Sequence, residues 1–201
     1  MYSLNDVEIA YSNYIPSFDF IFALRKQAIS ELCLKKGDDV LDIACGAGQN
    51  FKHILQKIGQ KGSLTAVDYS KAMLGRALYL IGKNGWKNIQ LINADAAAVN
   101  YKEKYDAIIS VLGFSSIPDH KEALKKAVNH LIKGGKLVIL DGKLSNFKPL
   151  NILMPLLRWN RSWDKTKDII GDVKKLFPTA KITLNEYKLG SSFIITLRRH
   201  N

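Results

Sequence analysis

The spacing of apolar residues divides this chain into short alternating elements. Residues 18–34 (FDFIFALRKQAISELCL) place apolar side chains at helical intervals and predict an N-terminal helix. Lys36-Gly37-Asp38 ends it and leads into a first strand at 39–43. The pattern then predicts helix 48–58, strand 63–68, helix 70–82, strand 88–93, strand 105–111, helix 119–131 and strand 135–141. Such alternation predicts an α/β fold, a parallel sheet with helices on both faces. The last third adds a helix at 166–176 and strands at 181–187 and 191–199. Lys188-Leu189-Gly190 between those strands is a hairpin signal. No internal repeat or low-complexity segment interrupts the pattern.

The first strand brings the chemistry. VLDIACGAGQNF (40–51) is an apolar strand carrying an acid, then Gly46-Ala47-Gly48, then the start of a helix. A second strand, SLTAVD, ends in Asp68, twenty residues past Gly48. Small residues let the backbone close on a nucleoside, the following acid can chelate its ribose, and the helix N-terminus favours a carboxylate. A dinucleotide site of the form G-x-G-x-x-G fails at the third glycine, where Phe51 stands. Gln49 and Asn50 open the helix instead, as polar residues able to cap it or reach a ligand. Asp42 would repel a pyrophosphate and attract an ammonium group. Adenosine, an amine and a carboxylate together describe S-adenosylmethionine.

On these residues the chain resembles the class I S-adenosylmethionine-dependent methyltransferases, and the resemblance covers most of it. The motif (V/L)LD(I/V)(A/G)CGxGxx is matched by 40–50. VDYSKAML (67–74), LINADAA (91–97), YDAIISVLG (105–113) and LIKGGKLVILD (131–141) match the later strands in order. The resemblance implies a single Rossmann-like doubly wound sheet, mostly parallel with an antiparallel C-terminal strand. It implies cofactor contacts from Asp42, Ala44, Gly46, Gly48 and Asn50 in the first motif. Asp68, Tyr69, Ser70 and Met73 follow from the second, Asp95 and Ala96 from the third, and Val111 from the fourth strand. Asp68 would take the ribose hydroxyls and Asp95 the adenine amine. Individual positions also have plainer readings: Asp68 or Ser70 as a helix cap, Gly134-Gly135 as a helix-to-strand turn.

At 201 residues, 47% of them hydrophobic, the chain fits one domain with a substantial core. The expected organisation is a single methyltransferase domain over 1–201. Residues 1–36 would form a cap or lid, and 142–178 a substrate- or membrane-facing insertion. No apolar run is long enough to span a bilayer, and the acids near the start do not fit a secretory leader. Cys33 and Cys45 make no disulfide framework, and Cys45 reads as a small space-filler. His53, His120, His130 and His200 lack metal-ligand spacing, so no metal is expected. The expected location is cytoplasmic, with room for peripheral attachment at the inner face of the membrane. The oligomeric state is left open.

The net charge of +12 is uneven. Residues 141–201 carry twelve basic and five acidic side chains, against four and six in residues 1–40. A basic C-terminal third points to an anionic partner or to a merely lysine-rich surface. Residues 144–163 match none of the shared motifs and combine Trp159, Trp163 and two prolines with Arg158 and Arg161. Six basic residues against one acid lie between Lys143 and Lys167. That composition fits an interfacial membrane segment or a helix packed over the site.

The chain is also similar to phospholipid N-methyltransferases and to quinone-biosynthesis methyltransferases, through DYSKAML (68–74), YSNYIPSFD (11–19) and VLGFSSIPD (111–119). The leading expectation is methylation of a phospholipid amine head group. A soluble small-molecule or quinone-precursor methyltransferase is the alternative. SVLGFSS stands where base-directed enzymes carry (D/N)PP(Y/F), so nucleic acid is not favoured, and an RNA substrate ranks lower. Tyr11 and Tyr14 are expected to orient the amine or cover the cofactor, and Asp141 to accept a proton or attract an ammonium.

Overall fold

A computed structural model describes residues 21–101, 104–144, 164, 166–187 and 190–200. Among them, seven strands form one sheet. These are β1 (Asp39–Ile43), β2 (Ser63–Asp68), β3 (Ile89–Asn93), β4 (Tyr105–Val111), β5 (Leu131–Gly142), β6 (Lys181–Tyr187) and β7 (Ser192–Arg198). Their order across the sheet is β3-β2-β1-β4-β5-β7-β6. β1 to β5 pair in parallel, and β7 runs antiparallel between β5 and β6. This is the Rossmann-like arrangement expected, with β7 as the antiparallel C-terminal strand. Tyr11, Tyr14 and residues 145–163 lie outside the described residues.

Among the described residues, five α-helices cover the two faces: α1 (Phe22–Glu31), α2 (Phe51–Ile58), α3 (Lys71–Asn84), α4 (His120–Asn129) and α5 (Ile169–Leu176). Helix α2 shows why these segments fold where they do. Its buried residues, Phe51, Ile54, Leu55 and Ile58, recur at i, i+3, i+4 and i+7 and form one apolar stripe. Each such side chain contributes roughly 1.5–3 kcal/mol on full burial. α1, α2 and α3 pack with Val40, Ile109 and Leu140 on one face of the sheet. α4 and α5 pack with Leu41, Ile108 and Ile139 on the other. Alternation along β1 therefore sends Asp42 to the face of Val40, toward α1 and α2.

Two boundaries differ from the sequence reading. Helix α2 starts at Phe51 rather than at 48, because Gly46 (φ +57°) and Gly48 (φ +84°) hold the loop in left-handed conformations. The double glycine is not a helix-to-strand turn. α4 ends at Asn129, and Gly134-Gly135 lie inside β5, where the register with β4 jumps from Tyr105–Leu131 to Ala107–Lys136. The insertion is a bulge, and glycine permits it.

Candidate functional site

The strand order reverses between β1 and β4, so the connections leave in opposite directions and open a crevice at the carboxyl ends of the strands. The loops after β1, β2, β3 and β4 all empty into that end. Asp42 and Asp68 pair in register with Ala66 and Asn93, which sets one acid near the end of β1 and the next at the end of β2. Asp95 follows β3 by two residues.

The loop after β1 is held by the acid after it. Gly46 N–H donates to Asp68 Oδ2 (2.8 Å) and Ser70 N–H donates to Asp68 Oδ1 (2.9 Å). Asp68 is therefore not a helix cap. Ser70 caps α3, its hydroxyl accepting Met73 N–H at 3.3 Å. Asn93 Nδ2 donates to the Tyr69 carbonyl at 2.7 Å and fixes the turn between them. Tyr69 stays 37% exposed while Met73 is buried, so only the tyrosine can present its side chain to the open side of the crevice without repacking.

Phe51, at the position of the missing third glycine, is fully buried and packs edge-on to Trp86. A Cβ added at Gly48 would lie 2.6 Å from the Phe51 ring. The aromatic ring thus takes the room that the third glycine leaves in a dinucleotide loop, and Gly48 is the residue that must stay small. Over Gly46 the space is open, the nearest atom to an added Cβ being Gln49 Oε1 at 4.0 Å. Gly113, after β4, makes a second close approach: a Cβ there would sit 2.4 Å from Ser110 Oγ and 2.7 Å from Ala44 Cβ. Ala44 (φ +55°) and Leu112 (φ +57°) both adopt the left-handed region that side chains disfavour. Backbone strain thus gathers at the two strand ends that flank the crevice.

Asp42 is buried completely. Asn50 Nδ2 lies 3.0 Å from each of its carboxylate oxygens, and Arg25 Nη1 donates to Asn50 Oδ1 at 2.6 Å. Asn50 occupies the N-cap position of α2 but makes no cap bond with its side chain, which is committed to Asp42 and Arg25. Burial pushes the Asp42 carboxyl up to about 7, against the lowering effect of Asn50 and the Arg25 charge and with a raising contribution from Asp68. Cys45, in the same loop, is a buried thiol whose pKa burial raises, as a space-filler's would be.

Asp95 accepts Ala97 N–H at 2.9 Å through Oδ1 and starts a helical turn with Val99 N–H on its carbonyl (2.8 Å). Ala96 is buried behind it, and Val111 is buried at the end of β4. Asp141 is as buried as Asp42, at 1% exposure, but differently partnered. Its carboxylate accepts Ser115 N–H (2.9 Å), Ser115 Oγ–H (2.7 Å) and Gly142 N–H (2.8 Å). Burial raises its pKa, while those bonds and Lys167 act in the opposite sense. Lys167 in turn donates to the carbonyls of Ser115 (3.2 Å) and Ile117 (2.6 Å), and Asp164 N–H reaches Ser115 O at 3.3 Å. The chain on both sides of 145–163 is thereby fastened to the short 3-10 turn Phe114–Ser116.

The fold thus sets Asp42, Ala44, Gly46, Gly48, Asn50, Asp68, Ser70 and Asp95 at or just past the carboxyl ends of β1, β2 and β3, and Asp141 at the end of β5. Arg25 and Ser115 were not singled out in the sequence. Arg25 had a legible signal: it falls on the buried spacing Ile21, Arg25, Ala28, Ile29, Leu32 of α1. Among the described residues no group of three or more His, Cys, Asp or Glu can hold a metal ion, and no helix is long and apolar enough to cross a membrane.

Residues 40–135 match the model of a methyltransferase domain. A demethylmenaquinone methyltransferase from Staphylococcus epidermidis is 31% identical over 133 residues, covering 64% of this chain and 53% of the relative. The chain spans about half the length of the curated relatives it matches. A solved S-adenosylmethionine-dependent methyltransferase from Aquifex aeolicus superposes with a TM-score of 0.68 at 17% identity, over 98% of this chain and 99% of that one. The cyclase SpnF superposes with a TM-score of 0.74 at 12% identity, over 98% and 92%. At those identities the likeness is one of fold, and a cyclase on the same fold illustrates that fold does not fix reaction. Over residues 40–135 the chain is thus similar to methyltransferase domains, on the fold shared with the Aquifex aeolicus methyltransferase. It is similar to demethylmenaquinone methyltransferases over about two thirds of its length.

Proposed function

We propose that this protein transfers a methyl group from S-adenosylmethionine to a small aromatic acceptor of the quinone-precursor class. The observation that carries the reading is the row of acids Asp42, Asp68 and Asp95 on successive strand ends beside the open Gly46 turn. Asp68 binds the ribose hydroxyls while holding Gly46 N–H. Asp95 accepts from the adenine amine, with Ala96 and Met73 as the apolar walls of the base and Tyr69 at its open side. Asp42, steadied by Asn50, attracts the ammonium group. Gly46, Gly48 and Ala44 bring backbone close to the amino-acid part, and Val111 lines the way to the acceptor. The bound sulfonium supplies an already activated methyl, so the chain's own task is alignment, worth up to about 7–11 kcal/mol in favourable models.

The acceptor class is supported by the Staphylococcus epidermidis relative, which is named for demethylmenaquinone. A phospholipid amine at an anionic membrane surface is a weaker reading. It rests on the composition between Lys143 and Lys167, most of which lies outside the described residues, and the demethylmenaquinone methyltransferase relatives do not support it. Asp141, with three donors on its oxygens, serves here as the anchor of the 114–116 turn that borders the acceptor side. Tyr11 and Tyr14 keep the expected role of covering the cofactor. The test is incubation with labelled S-adenosylmethionine and either a demethylated naphthoquinol or phosphatidylethanolamine vesicles. Label in the quinol supports the reading; label only in lipid replaces it.

A further inference from the structure

We infer that Arg25 is a positioning residue for the amino-acid end of S-adenosylmethionine, acting through Asn50 on Asp42. The inference rests on the reading of Asp42 as the partner of the cofactor's ammonium. It begins with a donor count. A guanidinium has five N–H donors and no acceptor, whereas a carboxamide has one end of each kind. Arg25 Nη1 lies 2.6 Å from Asn50 Oδ1, inside the protein. That contact is possible only with the oxygen of Asn50 facing α1. The amide nitrogen must then face β1, where it meets both oxygens of Asp42 at 3.0 Å.

Without Arg25 only Asp42 itself holds the carboxamide in that orientation, and only while it is ionised. Turned over, it would set its oxygen against the carboxylate and repel it. Arg25 thus favours the orientation in which Asn50 supports the ionised form of Asp42. Its positive charge acts in the same sense: it lowers the Asp42 pKa, which burial has pushed up to about 7. The charged or titratable groups acting on Asp42 are Arg25 from α1 and Asp68 from β2, with the Cys45 thiol in its own loop. Of the two that shift Asp42, Arg25 favours ionisation and Asp68 opposes it.

The arrangement also joins two parts of the chain that the cofactor motif does not connect. Arg25 belongs to α1, 25 residues before Asn50. It occupies a buried position of that helix, 5% exposed, where an apolar residue would complete the stripe. A buried charge is retained at a cost unless it is hydrogen-bonded, and Asn50 supplies such a bond.

The test compares two ligands by calorimetry on the full chain. S-adenosylhomocysteine carries the amino-acid end; 5′-methylthioadenosine has the same nucleoside and sulfur without it. In Arg25→Met the affinity for S-adenosylhomocysteine should fall about tenfold or more, the scale of one charge-assisted contact, while that for methylthioadenosine stays within about twofold. Arg25→Lys should fall between Arg25→Met and the wild type. In the wild type, preference for S-adenosylhomocysteine should grow as pH rises through about 7, and that midpoint should move upward in Arg25→Met. Methylthioadenosine binding doubles as the check on folding, and if Arg25→Met does not fold, Arg25→Gln carries the same comparison. Equal loss of both ligands, or no loss of either, overturns the inference. Asp42→Asn separates it from the reading beneath. If Asp42→Asn leaves the preference unchanged, the ammonium reading falls and takes the inference with it. If Asp42→Asn removes the preference and the Arg25 variant keeps it, only the inference falls.

Discussion

Asp42 and Asp141 stand near the carboxyl ends of β1 and β5, buried to the same degree, and their surroundings give them different work. Asp141 accepts three donors from Ser115 and Gly142, all local to one turn. Asp42 has one carboxamide shared across both oxygens, itself held from another helix. Burial without enough donors leaves Asp42 a poor anion in the free protein, with a pKa near 7. A carboxylate so placed gains most when a cation arrives. In the proposed site, one acid anchors the turn on the acceptor side and the other receives the cofactor's ammonium group.

The widest break in this comparison is expected from Asp141→Ala. It strands Ser115 N–H, Ser115 Oγ and Gly142 N–H, and should destabilise the fold by about 3 kcal/mol in denaturant titration. Binding of S-adenosylhomocysteine should change little; a comparable loss of binding would erase the distinction between the two acids. Asp68→Ala should weaken S-adenosylhomocysteine by roughly 100-fold in calorimetry, through lost ribose bonds and a released Gly46 N–H. Asp42→Asn should behave in the opposite way to Asp141→Ala, sparing stability and costing affinity.

The pH dependence sharpens the same point. A carboxyl whose folded pKa is raised stabilises the fold fully below its unfolded value near 3.8, and that contribution fades as pH rises through about 7. Asp42→Asn should therefore flatten the decline in stability of the ligand-free protein between pH 4 and 7, read from denaturant midpoints. The smallest effect belongs to the periphery of the site. Ser70→Ala removes the cap of α3 and should cost about 1 kcal/mol, with cofactor affinity nearly unchanged.

Much of the sheet was legible because its strands are short apolar runs between helical stripes. β1, β2, β4 and β6 begin and end where the pattern places them. The misplacements have local causes. Gly134-Gly135 reads as a turn in sequence, but a parallel neighbour continues past it, so the strand bulges instead of starting there. Gly48 delays α2 because its left-handed φ cannot begin a helix. The acids of the site could be read from their strand ends, whereas their partners could not. Sequence spacing does not reveal that Asn50 serves Asp42 rather than the helix cap, or that Ser115 folds back on Asp141. Both depend on contacts between elements distant along the chain. Arg25 is the instructive case: a charge on an apolar helical stripe marks a buried partner without saying which one.

The central claim is that the crevice at the β1–β4 reversal holds S-adenosylmethionine through acids on successive strands. Calorimetric titration with S-adenosylhomocysteine and with NAD tests it most directly. One saturable site for S-adenosylhomocysteine is expected, weakened by orders of magnitude in Asp68→Ala, with no heat of binding from NAD. Tighter binding of NAD, or S-adenosylhomocysteine affinity unchanged in folded Asp68→Ala, would contradict it.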